Sequence, residues 1–259
     1  MTVNGKNMDH APLQRVSWFR FYEELNDFLP AEVHKTRFPW HFTGTPSVKN
    51  TIEAIGVPHV EIDLILVNGI SVGFDQLLTG GEEISVYPVF ESFDISPVIR
   101  LREKPLRTTR FVVDVNLGKL ARKLRLLGFD TLFSNQYRDD EIVSVSKREK
   151  RIILTRDLGV LMYSAVTHGY WLRSNDPVKQ VKEVVERFQL QNRLEPFSRC
   201  SNCNGKLVEV PRQSVESHVH SETFSSFTTF WKCTTCENIY WKGSHYVRIG
   251  EWVERLKQF

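Results

Sequence analysis

Residues 110–128 read RFVVDVNLGKLARKLRLLG, and this stretch decides the architecture of the back half of the chain. Phe111-Val112-Val113-Asp114-Val115 is a short apolar strand interrupted by one acid. Leu117, Leu120, Ala121, Leu124 and Leu127 then recur at helical spacing, and Gly128 suits the C′ position. Lys119, Arg122, Lys123 and Arg125 fall mainly on the other faces of that helix. The alternation repeats downstream: strand Thr131–Ser134, helix Asp139–Glu149, strand Arg151–Thr155, a short helix after Asp157, and strand Tyr170–Arg173. A last amphipathic helix, Val178–Phe188, turns Val178, Val181, Val185 and Phe188 inward. Repeated strand–helix alternation predicts an α/β domain, a doubly wound parallel sheet over residues 110–192.

Upstream the pattern is different. Val16–Phe21 alternates like a strand, and a second strand around Arg37–Phe42 completes a hairpin. Ser47 is placed to cap a short helix whose apolar face is Val48, Ile52 and Ile55, and Gly56 ends it. Leu64–Val67 leads into the Asn68-Gly69 turn, a strong hairpin signal, and Ile84–Tyr87 is a further strand. The order ββαββ over residues 15–90 is that of a ubiquitin-like β-grasp. Leu66-Val67-Asn68-Gly69, followed by Gly80-Gly81-Glu82-Glu83-Ile84-Ser85-Val86-Tyr87-Pro88, resembles the ubiquitin-like sulfur carriers of molybdopterin and thiamine synthesis. Those carriers work through a free C-terminal Gly-Gly, whereas this chain continues with Pro88-Val89-Phe90, so the resemblance supports the fold and argues against sulfur transfer. Residues 91–109, with mixed charge and Pro97 and Pro105, read as a linker.

Downstream lie the only four cysteines, in the pairs Cys200-x-x-Cys203 and Cys233-x-x-Cys236. Two such turns facing each other complete a tetrahedral S4 site for Zn²⁺. Two disulfides are the rival, but a CxxC disulfide is usually redox-active, and nothing here marks an oxidising compartment. The spacing predicts a zinc ribbon over residues 197–250, structural because four protein ligands leave no open position. Its insert, Ser214–Thr229, is rich in Ser and Thr and reads as a mobile loop. His218, His220 and His245 lie near the cysteines but are surplus to a four-thiolate site. Phe230, Trp231, Tyr240 and Trp241 offer stacking surfaces for bases, although a small ribbon needs such rings in its core.

The composition, 41% hydrophobic and 25% charged with net charge +3, is that of a globular protein of two or three compact units. The first ten residues lack the apolar core of a signal peptide and no run reaches membrane-spanning length, so a cytoplasmic location without a membrane partner is expected. Charge is uneven: residues 15–100 carry 12 acids against 6 Lys/Arg, whereas residues 110–190 carry 15 Lys/Arg against 10 acids. A polyanion partner would be held by the back half.

In an open parallel sheet, functional groups gather beyond the carboxyl ends of the strands. Asp114 ends the first strand, Asp139-Asp140-Glu141 open the helix after the second, and Asp157 and Asp176 follow the third and fourth. Converging carboxylates hold Mg²⁺ or Mn²⁺, which serve phosphodiester hydrolysis. Each acid also has a structural reading. Asp139 and Asp157 can cap helices, Asp140 and Glu141 can be solvated first-turn acids, and Asp176-Pro177 is an N-cap signature. Asp114 is the hardest to explain that way, because an apolar strand tolerates an acid poorly. Lys119, Arg122 and Lys123 read either as phosphate contacts or as the wet face of their helix.

The FVVD of residues 111–114, the LGKLARKLRLLGFD of 117–130, the ILTRD of 153–157, Arg199–Gly205, and Cys233-x-x-Cys236 leading to Tyr240–Tyr246 together resemble the Mut-seven C-terminal RNase family. An acidic β-grasp is often fused in front of it. The resemblance implies a PIN-like nuclease fold with an appended zinc ribbon. It also implies metal-dependent ribonuclease activity, with Asp114, Asp140 and Asp157 at the acidic positions. Asp176, Ser174 and Asn175 compete for the place of a fourth ligand. RNA is the implied partner, contacted by Lys119, Arg122, Lys123 and Arg156, and the β-grasp unit is read as a docking module for a protein. The rival expectations are a PIN-like domain that binds RNA or a ribonucleoprotein without cutting, and an adaptor for which RNA is incidental.

Overall fold

The computed structural model describes residues 13–88, 101 and 109–258. The chain divides into two compact units, residues 1–104 and 105–259. Most of the stretch expected as a linker, residues 91–109, lies outside the described residues, which omit 89–100 and 102–108.

The first unit contains β1 (Gln14–Phe21), β2 (Phe38–Thr43), α1 (Val48–Ile55), β3 (Ile62–Val67), β4 (Ile70–Ser71) and β5 (Glu83–Pro88). The sheet order is β2-β1-β5-β3-β4, with β5 parallel to β1 and the other neighbours antiparallel. Ser47 caps α1 by accepting from the Asn50 N–H at 3.2 Å, and Gly56 closes it at φ 115°. Asn68 and Gly69, both at positive φ, form the two-residue turn between β3 and β4. The sheet, α1 and the segments joining them share one core that buries Phe19, Phe21, Leu25, Ile52, Ile65, Leu78 and Val86.

The second unit begins with β6 (Arg110–Val113), α2 (Gly118–Leu126), β7 (Asp130–Phe133), α3 (Asp139–Glu149), β8 (Ile152–Thr155), α4 (Leu158–Leu161), β9 (Gly169–Trp171) and α5 (Pro177–Arg187). The four strands are all parallel in the order β7-β6-β8-β9, so β6 and β8 are central and the chain reverses its winding at β6. Their residues Phe111, Val113, Ile152 and Leu154 share one core with Leu120, Leu124 and Leu127 of α2 and its C-terminal turn and Val181, Val184 and Val185 of α5.

The ribbon follows: β10 (Leu207–Val210), α6 (Ser221–Ser226), β11 (Phe230–Cys233) and β12 (Ile239–Trp241), paired antiparallel in the order β10-β11-β12. The insert expected as a loop is structured. A 3-10 segment at Arg212–His218 buries Val215, and Phe224 of α6 stacks on Phe230. A further helix, α7 (Ser244–Leu256), was not anticipated. It leaves the ribbon and places Val253 and Leu256 in the core of the parallel-sheet domain, with Trp252 5.0 Å from the Lys123 ammonium.

Candidate active site and metal centre

β6 ends at Val113, so the next side chain, Asp114, projects at the carboxyl end of a central strand and is only 6% exposed. Burial there is tolerated because Thr155, the last residue of β8, donates its hydroxyl to Asp114 Oδ2 at 2.7 Å. The same hydroxyl accepts the Asp157 backbone N–H at 2.8 Å. Thr155 therefore ties the two acids to one another. Asp157 in turn caps α4, accepting the Gly159 N–H at 2.8 Å.

Asp114 and Asp157 open into a cleft of about 960 Å³. Lys119 and Arg122 from the first turns of α2 line it, as do Arg156, Asn116 and Asn175. Lys119, Arg122 and Arg156 make no side-chain hydrogen bond or ion pair among the described residues, and Arg156 Nη1 is buried without a partner. Acids and unpaired cations thus share one concavity. Gly118 permits this shape, since a Cβ there would meet the Phe133 ring at 2.8 Å.

The expected acids on α3 divide in an instructive way. Asp140 is turned to solvent, 61% exposed, and paired with Arg138, whose Nε and Nη2 donate to it at 3.1 and 3.0 Å. That pairing holds its carboxyl below the usual range. Asp139, one residue earlier, is not among the residues that line the cleft either, but its carboxyl senses the acids there. Partial burial, then the charges of Asp157, Asp114 and Asp140, push its carboxyl up. Neighbouring helix positions differ by about 100° in direction, which is enough to separate the two roles. Asp176 does not line the cleft: its Oδ1 accepts from the Val178 and Lys179 amides at 2.9 Å each, the N-cap of α5. Its carboxyl is lowered first by the Lys179 amide. Lys123 also lies outside the lining, over Trp252. The loop after β9 is braced internally, with Glu183 accepting the Arg173 and Ser174 amides at 2.9 and 2.8 Å.

The four cysteines meet at the other end of the sheet. Their sulfurs lie within 4.8 Å of one another, with Cys200–Cys236 at 3.6 Å and Cys203–Cys233 at 3.4 Å. All four are free thiols, so the disulfide reading does not hold. A tetrahedral ion with bonds of about 2.3 Å has sulfur–sulfur edges near 3.8 Å, and this donor set can hold a metal such as zinc. Tyr240 does not present itself as a free stacking ring, because its hydroxyl sits 3.0 Å from Cys200 Sγ. Phe230 is fully buried, whereas Trp241 remains 38% exposed. His218, His220 and His245 are not members of the cluster.

Sequence reasoning missed what anchors this knuckle. Arg125, buried in α2, donates to Thr131 O at 2.9 Å, Asn202 O at 2.5 Å and Ser201 O at 3.4 Å. Asn204 completes the joint, accepting the Thr131 N–H at 3.0 Å and donating to Asp130 Oδ1 at 2.8 Å. The knuckle is thereby fixed to the start of β7, opposite the strand ends that form the cleft. Burial depresses the Arg125 guanidinium, with the Cys203 and Cys200 charges opposing that shift.

A family model described as Mut7-C RNAse domain matches residues 109–253, and one described as Mut7-C ubiquitin matches residues 15–94. No curated protein and no solved structure matches.

Proposed function

Because the chain belongs to the Mut7-C RNAse domain family, we propose that the cleft beyond β6 and β8 is a metal-dependent ribonuclease centre. The observation that carries this reading is Asp114, buried at the end of a central strand, tied through Thr155 to Asp157, and sharing a cleft with three unpaired cations. Carboxylate oxygens suit Mg²⁺ or Mn²⁺, and the thiolate cluster suits Zn²⁺. In this account Asp114 and Asp157 hold the divalent ion, and Asp139 rather than Asp140 supplies the third carboxylate. When bound, the ion would lower the pKa of a water and stabilise charge on the leaving oxygen. Thr155 fixes the direction of Asp114, and the cations Lys119, Arg122 and Arg156 draw the phosphate backbone in.

Zinc in the ribbon is structural in this account, since four thiolates fill its coordination and the knuckle lies opposite the cleft. The β-grasp unit is a docking module for a protein partner. Its Gly80-Gly81 pair lies inside the chain, held by Glu82, whose carboxylate accepts from Thr79 N at 2.7 Å and Gly80 N at 2.9 Å.

The test is incubation of the full chain with a labelled structured RNA, with Mg²⁺ or Mn²⁺ added or withheld. Cutting only with the added ion is expected. Binding without cutting under every ion would favour the non-catalytic RNA-binding alternative.

A further inference from the structure

Two of the three cleft cations lie on the same helix face, and the third does not. Lys119 and Arg122 are spaced i, i+3 on α2, so they form one ridge along the cleft wall. Arg156 sits elsewhere, between Thr155, which binds Asp114, and Asp157. Its backbone is fixed as well, because Trp171 Nε1 donates to Arg156 O at 3.1 Å. Its Nη1 is buried and has no hydrogen-bond partner.

An unpaired buried donor costs about 1–3 kcal/mol, more when charged, and native structures carry few of them. The two acids that line the cleft with Arg156, Asp114 and Asp157, are engaged instead with Thr155 and with the cap of α4. A planar guanidinium that lines a cleft with two carboxylates and pairs with neither matches the need of a phosphoryl group, which presents two non-bridging oxygens in a fork.

We propose that Arg156 contacts the scissile phosphate and stabilises its charge during hydrolysis, whereas Lys119 and Arg122 hold a neighbouring phosphate and contribute affinity alone. This rests on the nuclease reading above and deepens it. In the step concerned, the oxygen of a water bonds to phosphorus as the bond from phosphorus to the leaving ribose oxygen breaks. One water proton ends on that ribose oxygen, and the other stays on the product monoester or ionises from it. Negative charge on the oxygens around phosphorus must be stabilised in that step, and a guanidinium fork turned toward them would do so. A lysine is a point charge and reproduces that geometry poorly.

The experiment compares wild type, Arg156→Gln, Arg156→Lys, Lys119→Gln and Arg122→Gln on one labelled RNA under Mn²⁺. It separates kcat from KM and measures binding over a salt series without Mn²⁺. Arg156→Gln is expected to lower kcat by about 100-fold or more with affinity changed only a few-fold, and Arg156→Lys to recover about a tenth at most. Lys119→Gln and Arg122→Gln are expected to raise KM several-fold at nearly unchanged kcat, each reducing the salt slope by about one. Should Arg156→Gln lose its thermal transition, Arg156→Lys carries the test, since it keeps the charge and the packed stem. Wild type that cuts beside an Arg156→Gln or Arg156→Lys protein of equal kcat overturns the assignment alone. Wild type that binds RNA and never cuts overturns the nuclease reading and the role of Arg156 together.

Discussion

Glu82 is the residue where chemistry and fold are most directly linked in the N-terminal unit. Burial pushes its carboxyl up, but the Ser17 hydroxyl and the amide and hydroxyl of Thr79 outweigh that and bring it to about 2, from 4.5. A depressed carboxylate adds stability that is fully present above the unfolded value and is lost as pH falls through the folded one. The unit is therefore expected to weaken between about pH 4.5 and about pH 2, by on the order of 2–3 kcal/mol. Hydrogen exchange in β1 and β5 of the full chain, with and without Glu82→Gln, reads this: the variant should be weaker at neutral pH and flatter below pH 4.5. Equal pH dependence in both proteins would contradict it. Gly128 gives a second residue-scale prediction. At φ 97° it closes α2, and a Cβ there would stand 2.3 Å from Glu195 O. Gly128→Ala should cost more than about 2 kcal/mol, seen as a lowered thermal midpoint. The sequence exposed that glycine by its place after the last apolar helix position. It did not separate Asp139 from Asp140, because both are first-turn acids and only the phase of α3 against the sheet tells them apart.

At the scale of elements, the βαβ alternation was legible because each strand is a short apolar run and each helix keeps its spacing, as in Phe111–Val113 against Leu117, Leu120 and Leu124. α7 was not, although Tyr246, Ile249, Val253 and Leu256 stand at helical spacing. Its interior Gly250 and its position directly after a ribbon strand hid the pattern. Leu256 is 3% exposed, so Leu256→Ala should cost about 2–5 kcal/mol and lower the midpoint of the parallel-sheet domain rather than of the ribbon alone. The Arg125 joint was equally hidden, since its carbonyl partners lie 76 and 77 positions along the chain. It couples the knuckle to α2 and β7. If the four thiolates hold a metal, removing it with a chelator should therefore speed hydrogen exchange at Thr131 and in the last turn of α2, as well as around Cys200–Cys203. Faster exchange confined to the ribbon would show that the joint holds without the metal.

For the whole molecule, an acid-rich β-grasp unit precedes a cation-bearing Mut7-C RNAse domain that carries two chemically different groups: the cleft acids Asp114 and Asp157 at one end of the parallel sheet and a four-thiolate cluster able to hold a metal at the other. No helix among the described residues is long and apolar enough to cross a membrane. The thiolate cluster was legible from four cysteines, because covalent spacing carries that signal. The cleft was legible only as a list of acids, because its members come from separate strands and are joined by Thr155, a residue no spacing rule singles out. The most direct measurement compares Mn²⁺-dependent cleavage of one labelled RNA by the full chain and by Asp114→Asn, Asp157→Asn, Asp139→Asn and Asp140→Asn. The account predicts losses of about 100-fold or more in the first three and a rate within about 3-fold of wild type for Asp140→Asn. Full activity in Asp114→Asn, or a loss in Asp140→Asn with Asp139→Asn intact, would contradict it.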